Sequence, residues 1–277
     1  MHTPVLLEQV IEALDIKKDG LYIDATFGEG GYSKAILDKG GKVLGLDLDP
    51  EQISNFKFQI SNLQLIEGNF EDIEKIAKQN NFFPVNGVVF DLGLSMRQIS
   101  QSGRGFSFKK LNESLDMRMS LKTEMTAKYL LNRLSESELY DVFARNSEEI
   151  NSQKIAHEII IKRQFKKLET VEDLTNCIDK AIGEQDNNAY KRIFQALRIQ
   201  VNSEFENLKK GLIGAVKIIK DDGKIAVVTF HSLEDRIVKN FSKTQGVKLL
   251  NKKPIINRRG RNFEKSAKLR ILIKNNL

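Results

Sequence analysis

Short apolar runs alternate with stretches of helical periodicity from Leu21 to about Gly93. Runs of this length that are rich in Val, Ile and Leu are typical of buried strands. Their alternation with helices predicts parallel strands joined by right-handed crossovers, which is the organisation of an α/β fold. Similar runs return near the end of the chain, where the last two are expected to pair. The seven predicted strands begin at Leu21, Lys42, Leu63, Val88, Lys224, Val247 and Leu269.

The alternation is interrupted after Gly93. A polar, glycine-bearing loop spans 95–110, and we interpret it as a lid or substrate loop because long loops inside compact domains are usually functional or disordered. Apolar residues at helical spacing then dominate from about Thr126 to Gly183, and a long helix is predicted from 190 to 220. We interpret the block as an inserted all-helical domain. The predicted division is 1–110 and 189–277 for the α/β domain and 111–188 for the insertion.

Glycines crowd the turn that follows the first predicted strand. Gly28, Gly30 and Gly31 allow a left-handed backbone and a close approach of a ligand to the main chain. Asp24 precedes them by four residues and is placed to orient the turn, while Asp47 ends the second strand. An acidic residue at that point accepts both hydroxyls of a ribose in nucleotide-binding α/β folds. The pattern predicts a nucleoside site at the carboxyl ends of the strands. A tight turn that binds nothing is the alternative.

Three residues narrow the kind of nucleoside. Ser33 occupies the place of the third glycine of the dinucleotide fingerprint, which disfavours NAD. The third and fourth predicted strands run towards Phe70 and Asp91, so polar or glycine-containing loops line the same edge of the sheet. S-adenosylmethionine suits such an edge because it carries a ribose, an adenine and a charged amino-acid tail but no pyrophosphate. We therefore predict S-adenosylmethionine as the cofactor.

The formal net charge of +7 is concentrated near the end of the chain. Ten basic residues and one acidic residue lie within 248–274, so the remainder of the chain is close to neutral. A basic segment of this kind is typical of proteins that bind a phosphate backbone. The run from Arg258 to Arg261 and the neighbouring Phe263 add groups that stack on bases. A solvated, lysine-rich segment is the alternative.

The 277-residue chain contains one cysteine, Cys177, and three histidines. These residues exclude an internal disulfide and disfavour a zinc site, and no metal site is predicted. No apolar run approaches the roughly 20 residues of a membrane helix, and the first residues lack the pattern of a signal peptide. A cytoplasmic protein without membrane contact is the simplest interpretation.

Several longer motifs occur in one order along almost the whole chain, and together they are far more specific than a single glycine pair. They are HTPVLL at 2–7, DATFGEGG at 24–31, DLDP at 47–50, DLGLS at 91–95, RGFSF at 104–108, LDMRM at 115–119, FQALR at 194–198 and FHSLEDR at 230–236. With these motifs the chain resembles the RsmH (MraW) family of S-adenosylmethionine-dependent methyltransferases. The resemblance implies a class I, Rossmann-like methyltransferase fold with a seven-strand, mostly parallel sheet and an inserted helical domain that helps hold RNA.

The resemblance also implies a substrate and a set of cofactor contacts. The substrate is the exocyclic N4 of a cytidine in the decoding region of bacterial 16S rRNA, which is expected to be met within the small ribosomal subunit. Tyr32 replaces a usual histidine, so its backbone is the expected contact, and Met96 and Arg97 stand where the family commonly has Ser-Pro. Both a monomer and a homodimer remain open. The implied cofactor contacts are Gly30, Gly31, Tyr32, Asp47, Phe70, Asp91 and Gln98.

Two residues are candidates for the catalytic role of accepting the proton of the cytosine amine. Asp91 ends the fourth predicted strand, and His231 follows the fifth on the same edge of the sheet. A capping or structural role is the alternative for His231. The aromatic residues Phe106, Phe108 and Phe263 are candidates for stacking on an unpaired base, with a place in the core as the alternative.

Two further functions remain open at this point. A DNA amino-methyltransferase shares the cofactor edge, but such enzymes typically carry Pro-Pro-aromatic after the strand-four acid, whereas Asp91 is followed by Leu-Gly-Leu. A non-catalytic, RNA-binding ribosome assembly factor predicts RNA binding without methyl transfer. A nicotinamide dehydrogenase is disfavoured by Ser33.

Overall fold

The computed structural model describes residues 4–54, 56, 60–243, 246–257 and 264–274. Eight strands in this part of the chain form one sheet, in the order β3-β2-β1-β4-β5-β8-β6, with β7 paired to β8. The strands are β1 (Leu21–Asp24), β2 (Lys42–Asp47), β3 (Leu63–Glu67), β4 (Val85–Asp91), β5 (Ile219–Thr229), β6 (Val247–Leu249), β7 (Ile255–Ile256) and β8 (Lys268–Lys274).

The predicted α/β sheet is confirmed in its main features. The five strands from β3 to β5 are parallel neighbours, and β8 then pairs antiparallel to β5, β6 and β7. The described residues add one strand to the predicted seven, because the two-residue β7 pairs with the start of β8. β5 begins at Ile219 rather than Lys224, and its pairing with β4 is irregular between Val85 and Gly87.

The parallel strands read as continuous apolar runs because both of their faces are buried. Tyr22 and Ile23 are adjacent in β1 and point to opposite faces, yet each is fully buried. They belong to two different apolar clusters, which cover the two sides of the sheet. This layering places the ends of the strands, rather than their faces, within reach of a ligand.

Twelve α-helices lie in the described part of the chain. None of these helices is long and apolar enough to cross a membrane. They are α1 (Leu7–Leu14), α2 (Gly31–Asp38), α3 (Pro50–Ser54), α4 (Ile73–Gln79), α5 (Met96–Gln101), α6 (Ala127–Arg133), α7 (Glu136–Ser147), α8 (Ser152–Phe165), α9 (Val171–Ile182), α10 (Asn187–Asn202), α11 (Glu204–Ile218) and α12 (Ser232–Phe241).

The chain folds into two compact units. The first, here called the sheet unit, comprises Met1–Gly93 and Phe205–Leu277, and the second, the helical unit, comprises Leu94–Glu204. The helical unit is therefore longer at both ends than the predicted insertion at 111–188. α10 belongs to it because its apolar face, including Ile193, is buried in the same cluster as the preceding helices. A role of this unit in substrate recognition stays a prediction.

Hydrogen bonds also tie the loop before the predicted insertion into the helical unit. The buried Arg104 donates from Nη1 to the carbonyls of Arg118 and Met119, at 3.0 and 3.1 Å. Gly105 has a φ of +73°, and a Cβ there would lie 2.3 Å from the Ser114 carbonyl oxygen. Arg104 and Gly105 thus have structural roles within the unit, and a lid function of 95–110 stays a prediction.

Two helices of the helical unit begin with a capping box. Ser135 and Glu138 form the capping box of α7, and Thr170 caps α9 together with Asp173. The prediction of one long helix from 190 to 220 is wrong. Ser203 adopts a left-handed backbone with a φ of 51°, and this break separates α10 from α11.

Candidate active site

Three aspartates lie where neighbouring parallel strands end. Asp24 is the last residue of β1, Asp47 of β2 and Asp91 of β4. Asp24 stands in register with Gly45 and Val89, so Asp47 and Asp91 each lie two residues further along their strands. The segment that leaves β1 therefore has one carboxylate beside it on each neighbouring strand.

The turn after β1 is held against both neighbouring strands. The Asp91 N–H donates to Thr26 Oγ1 at 2.7 Å, and the Gly28 N–H donates to Asp47 Oδ2 at 2.7 Å. Gly28 and Gly30 have φ values of 52° and 76°, in the region that favours glycine. A Cβ on Gly30 would also lie 2.7 Å from a carbon of a neighbouring aromatic ring. The turn therefore requires glycine at position 30.

Asp24 anchors the helix that follows the turn. Its Oδ2 accepts hydrogen bonds from the Ser33 hydroxyl at 2.7 Å and from the Ser33 N–H at 3.2 Å. Ser33, which occupies the position of the third glycine of the dinucleotide fingerprint, therefore fixes the start of α2 to the end of β1. The other oxygen, Oδ1, is buried without a hydrogen-bond partner among the described residues. Burial raises the pKa of this carboxyl to about 6, against the lowering effect of these hydrogen bonds.

Asp47 is half-buried at the end of β2 and fastens two backbone segments. Its Oδ2 accepts from Gly28, as described, and its Oδ1 accepts from the Asp49 N–H at 2.8 Å. Burial raises the pKa of Asp47 to about 6, although both hydrogen bonds favour the charged form. Each carboxylate oxygen keeps a second lone pair, so Asp47 can still accept two hydroxyl groups.

Asp91 has the most strongly raised pKa of the three aspartates. Burial raises it to about 7, and the nearby charges of Asp24 and Glu234 act in the same direction. Its Oδ1 is buried without a hydrogen-bond partner in the described part of the protein. Nor does Asp24, Asp47 or Asp91 form a salt bridge with any described lysine or arginine. The strand ends therefore form an anionic site that lacks a counter-cation of its own.

His231 lies at the start of α12, directly after β5. Its Nδ1 accepts a long hydrogen bond, 3.4 Å, from the Glu234 N–H, so His231 is the N-cap of α12, as the alternative interpretation of this residue expected. Its Nε2 lies 2.9 Å from Glu234 Oε1, outside hydrogen-bond geometry, and its ring centroid lies 5.8 Å from that of Phe205. The imidazole caps α12 because its Nδ1 reaches a backbone N–H of the first turn that has no partner within the helix.

Glu234 is a site residue that the sequence reasoning missed. It is 2% exposed, and its Oε2 accepts the Phe230 N–H at 2.8 Å. The signal was an acid three residues after His231, which is a capping-box spacing. The charge of Glu234 also contributes to the raised pKa of Asp91.

Tyr32 and Phe70 are predicted cofactor contacts whose side chains are engaged within the sheet unit. Tyr32 is 3% exposed, and its hydroxyl donates to the Val5 carbonyl at 2.5 Å. Burial raises its pKa well above the usual value. Phe70 packs edge-on against Phe90, with ring centroids 5.5 Å apart. The Tyr32 side chain therefore has a structural partner, and contacts of its backbone and of Phe70 with a cofactor stay predictions.

The other predicted site residues are divided between the two units. Gly30 caps α2 and Gly31 is its first residue, beside the three aspartates. Gln98 lies in the helical unit, where its side chain accepts the Ser95 N–H at 3.0 Å and closes the capping box of α5. A cofactor contact of Gln98 stays a prediction.

The aromatic residues that were candidates for base stacking have different positions. Phe106 and Phe108 are partly buried and pack against the apolar core of the helical unit, and Phe108 lies 5.5 Å from Tyr190 between ring centroids. The core interpretation therefore applies to both residues. Phe263, like Arg258, Arg259 and Arg261, lies outside the described residues.

Part of the basic segment at 248–274 serves the sheet unit itself. Arg270 is 4% exposed and forms a two-pronged ion pair with Asp235, at 2.7 and 3.0 Å. Its Nη1 also donates to the Lys252 carbonyl at 3.0 Å. Its charge is thus neutralised within the fold, and the segment offers less positive charge to a phosphate backbone than the sequence alone indicated.

Comparison with known proteins decides the family. The profile of the MraW methylase family matches residues 1–275 of the chain. The chain belongs to the MraW methylase family. The predicted family and class of enzyme are confirmed: the chain is a methyltransferase, and S-adenosylmethionine is its methyl donor.

Individual relatives align over nearly the full length of the chain. The ribosomal RNA small subunit methyltransferase H of Dictyoglomus thermophilum is 40% identical, covering 98% of this chain and 96% of its own. The protein of the same name from Coprothermobacter proteolyticus is 38% identical, covering 99% and 96%. An rRNA methylase structure from Streptococcus thermophilus aligns at 9% identity with a TM-score of 0.46, covering 100% of this chain and 99% of that one.

Family membership and the observed sheet together confirm the predicted fold class. A parallel sheet in the order β3-β2-β1-β4-β5, extended by antiparallel strands, is the Rossmann-like arrangement expected of a class I methyltransferase. In a MraW methylase the three aspartates at the strand ends are the candidates for cofactor binding. Among the described residues, no cluster of histidine, cysteine and acidic side chains is arranged to hold a metal ion.

Proposed function

We propose that the chain transfers a methyl group from S-adenosylmethionine to the exocyclic N4 of a cytidine in the decoding region of bacterial 16S rRNA. The observation that carries the proposal is the anionic edge formed by Asp24, Asp47 and Asp91 around a glycine turn, in a chain that belongs to a methylase family. Full-length relatives named ribosomal RNA small subunit methyltransferase H support the choice of RNA.

The residues at this edge fit a ligand that is cationic and carries a ribose. Asp47 is placed to accept the two ribose hydroxyls through its remaining lone pairs. The unpartnered Oδ1 of Asp91 is placed to accept from an ammonium group. The sulfonium and ammonium charges of the cofactor would favour the ionised forms of carboxyls whose pKa values burial has raised. The glycine turn leaves the backbone accessible beside them.

The chemistry asks the protein mainly to position two reactants. Bound S-adenosylmethionine supplies an activated methyl group and leaves as a neutral thioether. The cytosine amine is a weak nucleophile because its lone pair is delocalised into the ring. Asp91 is our first candidate to orient this amine and accept its proton, because it ends β4 at the same edge of the sheet as the proposed cofactor site. Holding donor and acceptor in line accounts for the rest of the rate.

His231 is the second candidate for the proton acceptor. The imidazole follows β5, which is the neighbour of β4 in the sheet, and its side chain is 13% exposed. Its contacts with Glu234 support a capping role at least equally. A variant that keeps the cap but loses the basic nitrogen separates these roles. His231→Asn is such a variant, because an asparagine side chain caps a helix through its oxygen.

We extend the proposal to the setting of the reaction. The named relatives support the small ribosomal subunit as the assembly in which the 16S rRNA is met, and the cytoplasm as the compartment. Absence of Pro-Pro-aromatic after Asp91 argues against a DNA amino-methyltransferase. A binding-only assembly factor would leave the unpartnered carboxylate at Asp91 without a purpose.

The test is methyl transfer from radiolabelled S-adenosylmethionine to RNA from a strain that lacks the enzyme. Small ribosomal subunits and naked 16S rRNA are offered in parallel, and the product is digested to nucleosides. We expect label in N4-methylcytidine with the wild-type chain and none with Asp47→Ala. Asp38→Ala, which alters an exposed acid at the end of α2, serves as the matched control. Cofactor binding without label in either RNA would overturn the proposed substrate.

A further inference from the structure

Phe165 is an aromatic side chain that the helical unit presents to solvent. It is the last residue of α8 and is 86% exposed. No described aromatic ring lies against it. The next residue, Lys166, adopts an extended backbone and so terminates the helix. Phe165 therefore stands at a corner of the unit, with its ring faces open to a ligand.

The backbone beneath Phe165 is fixed on both sides. The Asn132 side chain donates to the Leu168 carbonyl at 2.8 Å and accepts the Leu168 N–H at 3.1 Å. Arg163 Nη1 donates to the carbonyls of Leu131 and Leu134, at 2.9 and 2.6 Å. These four bonds join the end of α8 to the end of α6. The ring is thus carried on a pre-organised base, which lowers the entropy lost when a ligand binds.

Positive charge surrounds this corner. The run from Lys162 to Lys167 has four basic residues and no acidic one. Lys166 is neutralised by the buried Asp173 at 2.9 Å. Lys167 and Arg133 are exposed and form no ion pair with any described acid. The backbone of Arg133 lies close to this corner, because the preceding residue, Asn132, is hydrogen-bonded to Leu168.

Ile150 provides a contrast within the same unit. Its side chain is 90% exposed, but it follows Glu148 and Glu149 rather than lysines and arginines. Exposed apolar surface therefore occurs in the helical unit without positive charge. Phe165 differs because an aromatic ring and unpaired cations occur together, a combination that suits a nucleic acid.

We propose that Phe165 is a stacking platform for an unpaired base of the RNA substrate, with Arg133 and Lys167 beside it contacting the flanking phosphates. The occupant is single-stranded RNA because every base offers a flat face to the ring while the backbone offers negative charge to the cations. One exposed ring is too small to form a stable interface with a protein. This inference rests on the proposed function, since it assigns a contact to the same substrate.

The experiment measures binding of a fluorescent single-stranded RNA oligonucleotide and of a duplex of the same length to the full-length chain. Phe165→Ala is expected to weaken single-strand binding about tenfold, Phe165→Tyr to retain it, and Ile150→Ala to leave it unchanged. Replacing Arg133 and Lys167 together by glutamine is expected to reduce the slope of log affinity against log salt by about 1.4. In the methyl-transfer assay, Phe165→Ala should raise KM for RNA and leave kcat at saturating RNA unchanged.

Each outcome decides one proposal. Equal single-strand binding by Phe165→Ala and wild type would overturn the stacking platform and leave the proposed methyl transfer intact. Weakened binding to small ribosomal subunits without weakened binding to the oligonucleotide would also overturn it, because the corner would then meet a protein. If the wild-type chain transfers no methyl group to RNA but Phe165→Ala still loses single-strand binding, the proposed function fails and the platform stands.

Discussion

Buried acidic side chains lie in both units of the chain, but under opposite electrostatic conditions. In the sheet unit, Asp24 and Asp91 each keep one buried oxygen without a partner, and burial raises their pKa values to about 6 and about 7. In the helical unit, the buried Asp173 accepts from two backbone N–H groups, a threonine hydroxyl and a lysine. Burial acts on Asp173 too, but these donors lower its pKa to about 2.

Glu149 repeats the pattern of the helical unit. Its side chain is fully buried, and it accepts from Arg192 Nε at 2.5 Å and from the Asn151 N–H at 2.9 Å. A buried carboxylate with a complete set of donors stabilises its own fold. A buried carboxylate that lacks such donors lowers the stability of the free protein when it is ionised. The binding of a hydrogen-bond donor or a cation removes this free-energy cost. The contrast is between acids whose donors are complete and acids that keep an oxygen free for the ligand that we propose.

The largest expected effect comes from removing a ligand-facing acid. Asp47→Ala deletes the proposed ribose contacts and the anchor of the Gly28 N–H. Hydrogen bonds to a charged group contribute about 1.5–3 kcal/mol each, so we expect S-adenosylmethionine to bind at least about 100-fold more weakly by calorimetry. Asp38→Ala, the matched exposed control, should bind as the wild type does. A loss below about threefold would contradict the assignment of Asp47.

The second effect concerns Asp173, a buried acid that accepts four hydrogen bonds within its own unit. Asp173→Ala removes four hydrogen bonds from the start of α9, and we expect the free energy of unfolding to fall by about 2–3 kcal/mol in urea titrations. Cofactor affinity of the folded protein should not change. Glu172→Ala, at the exposed neighbouring position, should change stability by less than about 0.5 kcal/mol. Equal losses of unfolding free energy in Asp173→Ala and Glu172→Ala would contradict the structural role of Asp173.

The third effect is the pH dependence of cofactor binding. Protonation of Asp91, with a pKa of about 7, and of Asp47, with a pKa of about 6, neutralises the site as pH falls. A cationic ligand prefers the ionised forms, so we expect affinity for S-adenosylmethionine to fall about tenfold from about pH 8 to about pH 6. Asp91→Asn should bind more weakly at high pH and lose most of this dependence. A pH-independent affinity in the wild type would show that these carboxyls are already ionised.

The smallest effect concerns the cofactor-free protein. Folding raises the pKa of Asp91 from 3.8 to about 7, so its contribution to stability is present at low pH and is lost as pH rises through about 7. Asp91→Asn should therefore stabilise the free protein more near pH 8 than near pH 5. Asp173→Asn should show the opposite trend, because its stabilising effect is present above its unfolded pKa and is lost as pH falls towards about 2. Thermal unfolding at several pH values compares the two variants.

The sequence by itself determined the class of fold and the place of the site. Apolar runs with flanking glycines and acids indicate parallel strands, because strands buried on both faces need continuous apolar residues. Motifs in one order indicated the family, which was then confirmed. Asp47 and Asp91 were singled out because the carboxyl ends of parallel strands meet at one edge, and Asp24 because it precedes the glycine turn by four residues.

Only the tertiary structure decided which of these groups have partners. Spacing could not show that Asp91 keeps an oxygen without a partner, because that follows from the packing of β4 against segments distant in the chain. The donors to Asp173, in contrast, all lie within seven residues of it. Nor could spacing separate the partly buried Phe108 from the exposed Phe165, since each is an aromatic residue next to lysine. The break at Ser203 was missed because local propensity is weak and a backbone angle set by the surroundings overrides it.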